Sequence, residues 1–148
     1  MWGFIIAMIS GALMSVQGVF NSDVTKSSGI WTASSFVQFT ALITCLVMWK
    51  ITDGNSFMSV FGVERKYALL GGVIGAFITY TVIQSINMLG TANAILIIVI
   101  TQTAVAYLIE LFGLFGSTKT EFSWLKLIGI ALAIGGLVMF HMCGRSEA

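Results

Sequence analysis

The chain has no proline, one histidine, two cysteines and little charge: 9% of its 148 residues are Asp, Glu, Lys or Arg, against about 25% in a soluble domain. Without proline, any kink in a helix must come from glycine, at Gly71-Gly72 or Gly135-Gly136. His141 has no Cys/Asp cluster near it in sequence, so we read it as an interfacial residue and expect no metal and no other cofactor. Cys45 and Cys143 fall on different hydrophobic segments and suit packing better than a disulfide or a metal site. A net charge of +1 with no basic cluster leaves no electrostatic footprint for nucleic acid. No arrangement of groups points to an enzyme.

What is there is apolar. Hydrophobic residues make up 57% and the mean hydropathy is +0.98, which places the chain in a lipid bilayer. One crossing needs about 20 apolar residues, roughly 30 Å of helix. Charge-free stretches supply one span from Met1 to Ser22, a second between Lys26 and Lys50, and a last between Lys126 and Arg145. Between Lys66 and Glu110 lie 43 uncharged residues. As a single helix they would reach roughly 65 Å, about twice the bilayer core. That run must therefore turn, and the glycine and amides of residues 87–93 mark the place. The expected fold is an all-α integral membrane protein, one domain over 1–148, with five transmembrane helices at about 2–21, 30–50, 67–87, 94–114 and 125–143. The first span has no preceding Lys or Arg and no small-x-small cleavage site, so it reads as a retained helix.

With the amino terminus inside, the inner loops carry Lys50, Arg65, Lys66, Lys119 and Lys126, and the outer ones Lys26 and Arg145. This bias favours amino terminus in and carboxyl terminus out. In the longest loop, Asp53-Gly54-Asn55-Ser56 is turn chemistry, and Phe57, Val60 and Phe61 then recur at helical spacing, which predicts a short interfacial helix near 55–66.

Glu110 is the only charge between Ala94 and Gly116. A carboxylate at membrane depth costs several kcal/mol unless it is paired, protonated or facing water, so it marks a candidate proton or cation site. The alternative is structural: Glu110 lies about two turns from the end of its run and can lean out to meet Lys119 or Lys126. Thr103, Tyr107 and Glu110 share a helical face, with Gln102 slightly to one side. Gln17 and Asn21 in the first span, and Tyr80, Gln84 and Asn87 in the third, form further polar faces, and the second span adds Gln38. Buried amides must find partners in hydrocarbon, so these faces are expected to meet one another and not lipid. Tyr80, Tyr107 and Trp31 are available to contact an organic cation. Close helix packing is expected at Gly71-xxx-Gly75, at Gly11, Ser15 and Gly18, and along Gly129, Ala133 and Gly136.

Five spans enclose little volume, which makes a dimer the economical assembly for a solute pathway. Gln17-Gly18-Val19-Phe20-Asn21, Leu89-Gly90-Thr91-Ala92, Gln102 followed by Leu108-Ile109-Glu110-Leu111-Phe112-Gly113-Leu114-Phe115-Gly116, and Gly129-x5-Gly135-Gly136 occur in that order. Together with the five-span layout they resemble the YdcZ-like proteins. These are single-domain members of the drug/metabolite transporter superfamily, related to the small multidrug resistance exporters. The resemblance implies a half-transporter of the bacterial cytoplasmic membrane, working as an antiparallel dimer with itself or with an inverted paralogue. Glu110 falls where the family pattern carries an acid before its Phe-Gly. The small multidrug resistance exporters carry their essential Glu in the first helix, where this chain offers only Gln17 and Asn21, so their mechanism does not transfer. The functional expectation is a secondary transporter of a small cationic or amphipathic metabolite, coupled to protons. A dimeric passive channel and a non-transporting membrane assembly subunit are the competing classes.

Overall fold

In the computed structural model, which describes residues 1–52, 54 and 56–145 (for 143–145 the backbone alone), the chain is a series of long helices joined by short connections. Five are long and apolar enough to cross a membrane: α1 (Trp2–Ser28), α2 (Ile30–Thr52), α3 (Gly71–Leu89), α4 (Thr91–Phe112) and α5 (Trp124–Arg145). Short 3₁₀ turns lie at Phe57–Gly62, Lys66–Leu70 and Leu114–Gly116. Asp53 and Asn55 of the expected turn, and the side chain of Cys143, lie outside what is described.

The boundaries depart from the sequence expectation where local hydrogen bonding extends a helix beyond its apolar run. α1 continues seven residues past Asn21 to Ser28. There Asp23 and Lys26 pair at 3.2 Å one turn apart, and Thr25, Ser27 and Ser28 donate their hydroxyls to carbonyls one turn back. Between α3 and α4 a single residue, Gly90, makes the whole turn at φ 78°, a conformation open to glycine at no steric cost. The expected turn over 87–93 is therefore much tighter than its composition suggested.

The contacts divide the chain into two compact units, Met1–Met88 and Leu89–Ala148. In the first, α1 packs along α2, and α3 is joined to both by side chains. Ser22 donates to Asn87 Oδ1 at 2.5 Å, Gln38 donates to Thr79 Oγ1 at 3.4 Å, and the Trp31 and Tyr80 rings stack with centroids 4.7 Å apart. Gly18 sits against Ile86, whose Cδ1 would have to shift to admit a β-carbon. At the end of α2, Trp49 meets Phe57 edge-on at 5.7 Å, and the Lys66 ammonium donates to the Phe61 carbonyl. The second unit is the α4–α5 hairpin. Little of the apolar surface is covered within the units: Ala33, Ile83, Ile86, Ala94 and Tyr107 are the buried hydrophobic residues among those described. The exposed leucines, isoleucines and phenylalanines of all five helices suit contact with lipid, where a soluble chain could not leave them.

Candidate functional site

The expected face of α4 appears as one wall of a groove of about 500 Å³ against α5. Thr103, Tyr107 and Glu110, at steps of four and three residues, line it from α4, and Lys126, Gly129 and Ala133 line it from α5. From Val99 to Glu110 the groove follows α4 for roughly 16 Å at 1.5 Å per residue, about half the hydrocarbon thickness. Its wall is otherwise aliphatic. Glu110 and Lys126 therefore put opposite charges at one end of an apolar slot.

The geometry of that end is specific. Lys126 Nζ lies 3.6 Å from Glu110 Oε2 and 5.2 Å from the centroid of the Tyr107 ring. Both charged side chains are about half exposed, at 50% and 46%. Tyr107 is buried, and its hydroxyl is committed: it accepts the Ser123 backbone N–H at 2.8 Å and lies 3.4 Å from the Ser123 carbonyl. That contact fixes the ring and ties α4 to the residue that precedes α5. Thr103, also on the groove wall, donates to the Val99 carbonyl at 2.8 Å.

The loop that brings Lys126 to Glu110 is built from the Phe-Gly-Leu-Phe-Gly run. Gly113 ends α4 in the left-handed region at φ 64°, and Phe115 and Gly116 follow with φ 54° and 82°. Three positive φ values fold the chain back on the helix end. The Thr120 N–H then reaches the Glu110 carbonyl at 3.0 Å, and the Ser117 hydroxyl reaches that of Ile109 at 3.1 Å. Carbonyls of the last turn of α4, which the Gly113 N–H also caps, thereby gain a second donor each from the loop.

The remaining sequence candidates separate. Gln102 is exposed and does not line this groove. In the first unit, Gln17 and Asn21 line an open groove of about 700 Å³ between α1 and α2, with Thr40, Thr44 and Cys45 opposite. Tyr80 is taken up by its stack on Trp31, and Gln84 is exposed, with its amide 3.8 Å from the sulfur of Met88. Lys126 and Ser123 are the contributors that helical spacing did not mark as site residues. Lys126 entered only as one of two ion-pair alternatives.

Among the described residues, five helices long and apolar enough to cross a bilayer describe a membrane protein. A family model described as "Putative inner membrane exporter, YdcZ" matches residues 2–139. The chain belongs to this YdcZ family. It is accordingly a multi-pass inner membrane protein and a membrane exporter of the drug/metabolite transporter type, with a small-molecule substrate and a non-enzymatic role. No curated protein and no solved structure matches the chain.

Proposed function

We propose that this YdcZ member exports a small amphipathic organic cation in exchange for protons, working as an inverted dimer, with Glu110 as the group that takes either. What carries this reading is the chemistry of the α4–α5 groove: one carboxylate and one aromatic face, Glu110 and Tyr107, meet Lys126 at the end of a slot whose wall is aliphatic apart from Thr103. A carboxylate and a ring face are the two groups that hold an organic cation, and aliphatic walls take its apolar substituents. A volume of about 500 Å³ suits a small molecule. Within the first unit, the separate groove lined by Gln17 and Asn21 offers hydrogen-bonding groups of its own.

Parity and position support the inverted dimer. With the amino terminus inside, α4 runs inward and Glu110 stands at its cytoplasmic end. A copy inserted the other way presents the same mouth outside. Two such copies are related by an inverted two-fold axis, the symmetry on which many alternating-access transporters are built.

The test is flux in proteoliposomes under an imposed proton gradient, with a panel of quaternary ammonium compounds. The expected result is saturable, gradient-driven uptake with counterflow, lost in Glu110→Gln, which keeps the size and hydrogen bonding of the side chain but cannot exchange a proton. Gradient-driven transport by the Gln variant equal to wild type removes Glu110 from the mechanism. Flux that stays linear in concentration replaces the carrier with a pore.

A further inference from the structure

Lys126 already occupies the place that the exporter reading gives to the substrate. Its ammonium lies 3.6 Å from the Glu110 carboxylate and 5.2 Å from the Tyr107 ring centroid, the same two groups that would receive an organic cation. One carboxylate at that end of the groove cannot serve both closely. We infer that Lys126 is a tethered competitor for the cation site, so that it sets affinity and selects what enters. This inference rests on the reading above, in which Glu110 takes the cation.

Three features indicate a residue placed to leave. The N···O distance of 3.6 Å is well outside the roughly 2.7–2.9 Å of a tight charge-assisted hydrogen bond. Half of each side chain is already exposed, so the flexible lysine stem can carry its ammonium outward at small cost. Lys126 is also the third residue of α5, in the first turn, where the positive end of the helix dipole opposes a cation. A pair built for stability would place its lysine at a helix C-terminus. Here a local rule is broken at the mouth of a groove, which is where function is expected to break it.

The consequence is a rule for substrates. A molecule must bring a positive charge to replace the ammonium and an apolar body to fill the aliphatic slot behind it. Neutral amphiphiles leave Lys126 in place and gain only the slot. Hydrophilic cations displace Lys126 but gain nothing beyond it.

Binding of butyltrimethylammonium to the full chain in nanodiscs tests this. If Lys126 holds the site about nine-tenths of the time, Lys126→Met tightens the apparent Kd about tenfold. Lys126→Arg keeps a tethered cation and the ion pair, and it is expected to bind no tighter than wild type. Lys119→Met removes the same charge from the loop before α5 and leaves affinity unchanged. The double variant Glu110→Gln/Lys126→Met strands no charge and does not bind. The inference is overturned, with the exporter reading intact, if binding depends on Glu110 but Lys126→Met leaves it unchanged or weaker. It is also overturned if Lys119→Met gains as much, because the effect is then diffuse charge, or if Lys126→Arg tightens tenfold. If neither wild type nor Lys126→Met binds, and Glu110→Gln transports like wild type, the exporter reading fails and takes the inference with it.

Discussion

Tyr107 joins stability and recognition in one side chain, and its two ends can be separated. The hydroxyl accepts the Ser123 N–H at 2.8 Å, and the ring lies beneath Lys126. Tyr107→Phe keeps the ring and strands the N–H, which is expected to cost about 1 kcal/mol. An SDS titration should therefore show a lower unfolding midpoint, with cation affinity unchanged. Tyr107→Leu also removes the ring face, and cation binding should weaken about two- to fivefold, the range for one exposed cation–π contact. If the Phe variant folds as wild type but no longer binds, the hydroxyl touches the substrate and Ser123 is not its essential partner. At this scale the sequence was informative along one helix and silent between helices. The spacing of Thr103, Tyr107 and Glu110 put them on one face, where the structure also has them, while Gln102, one step aside, falls off the groove. Ser123 carried no such signal, because its meeting with Tyr107 depends on the path of the connecting loop.

That loop makes the case at the scale of elements. The Phe-Gly-Leu-Phe-Gly run reads in sequence as an apolar helix end with two glycines, and nothing in it announces positive φ at Gly113, Phe115 and Gly116. The five spans themselves were legible because length and apolar content decide whether a segment crosses a bilayer. Their ends were less so: α1 overruns its apolar stretch on side-chain hydrogen bonds, and Gly90 turns in one residue what composition spread over seven. Gly113 tests the loop. An added β-carbon would stand 3.4 Å from Lys119 Cβ in a left-handed conformation at φ 64°. Gly113→Ala is expected to destabilise the hairpin by about 1–2 kcal/mol and to loosen the hold on Lys126, seen as a lower unfolding midpoint. In the first unit, Gly18 is the corresponding close approach, with 2.6 Å between a built β-carbon and Ile86 Cδ1. Since that atom is the free end of a side chain, Gly18→Ala should be tolerated with a small loss. Gly18→Leu should lower the folded yield in detergent, and an unchanged yield would mean that α1 and α3 are free to separate.

For the whole molecule, the proposed inverted dimer makes a demand that the charge pattern of a single orientation does not meet. Lys50, Arg65, Lys66, Lys119 and Lys126 against Lys26 and Arg145 bias insertion one way, so most copies should have their amino terminus inside. A thiol introduced at Ser59 in a Cys45→Ser/Cys143→Ser background is expected to be labelled mainly from the cytoplasm. Equal labelling from both sides would instead mean full dual topology. A homodimer built from such a population is limited by its minority orientation, and supplying that orientation should raise activity. Lysines at Ser27 and Ser28, with Lys50→Ser and Lys119→Ser, reverse the balance while leaving Glu110, Lys126 and Tyr107 in place. Neither the wild type nor this reversed chain alone should match the two expressed together, and transport by the mixture should vanish when Glu110→Gln is carried by both. If the wild type alone already equals the mixture at the same total protein, inverted pairing between copies of this chain is not what makes the transporter. An oppositely oriented paralogue, or a parallel assembly, then takes its place.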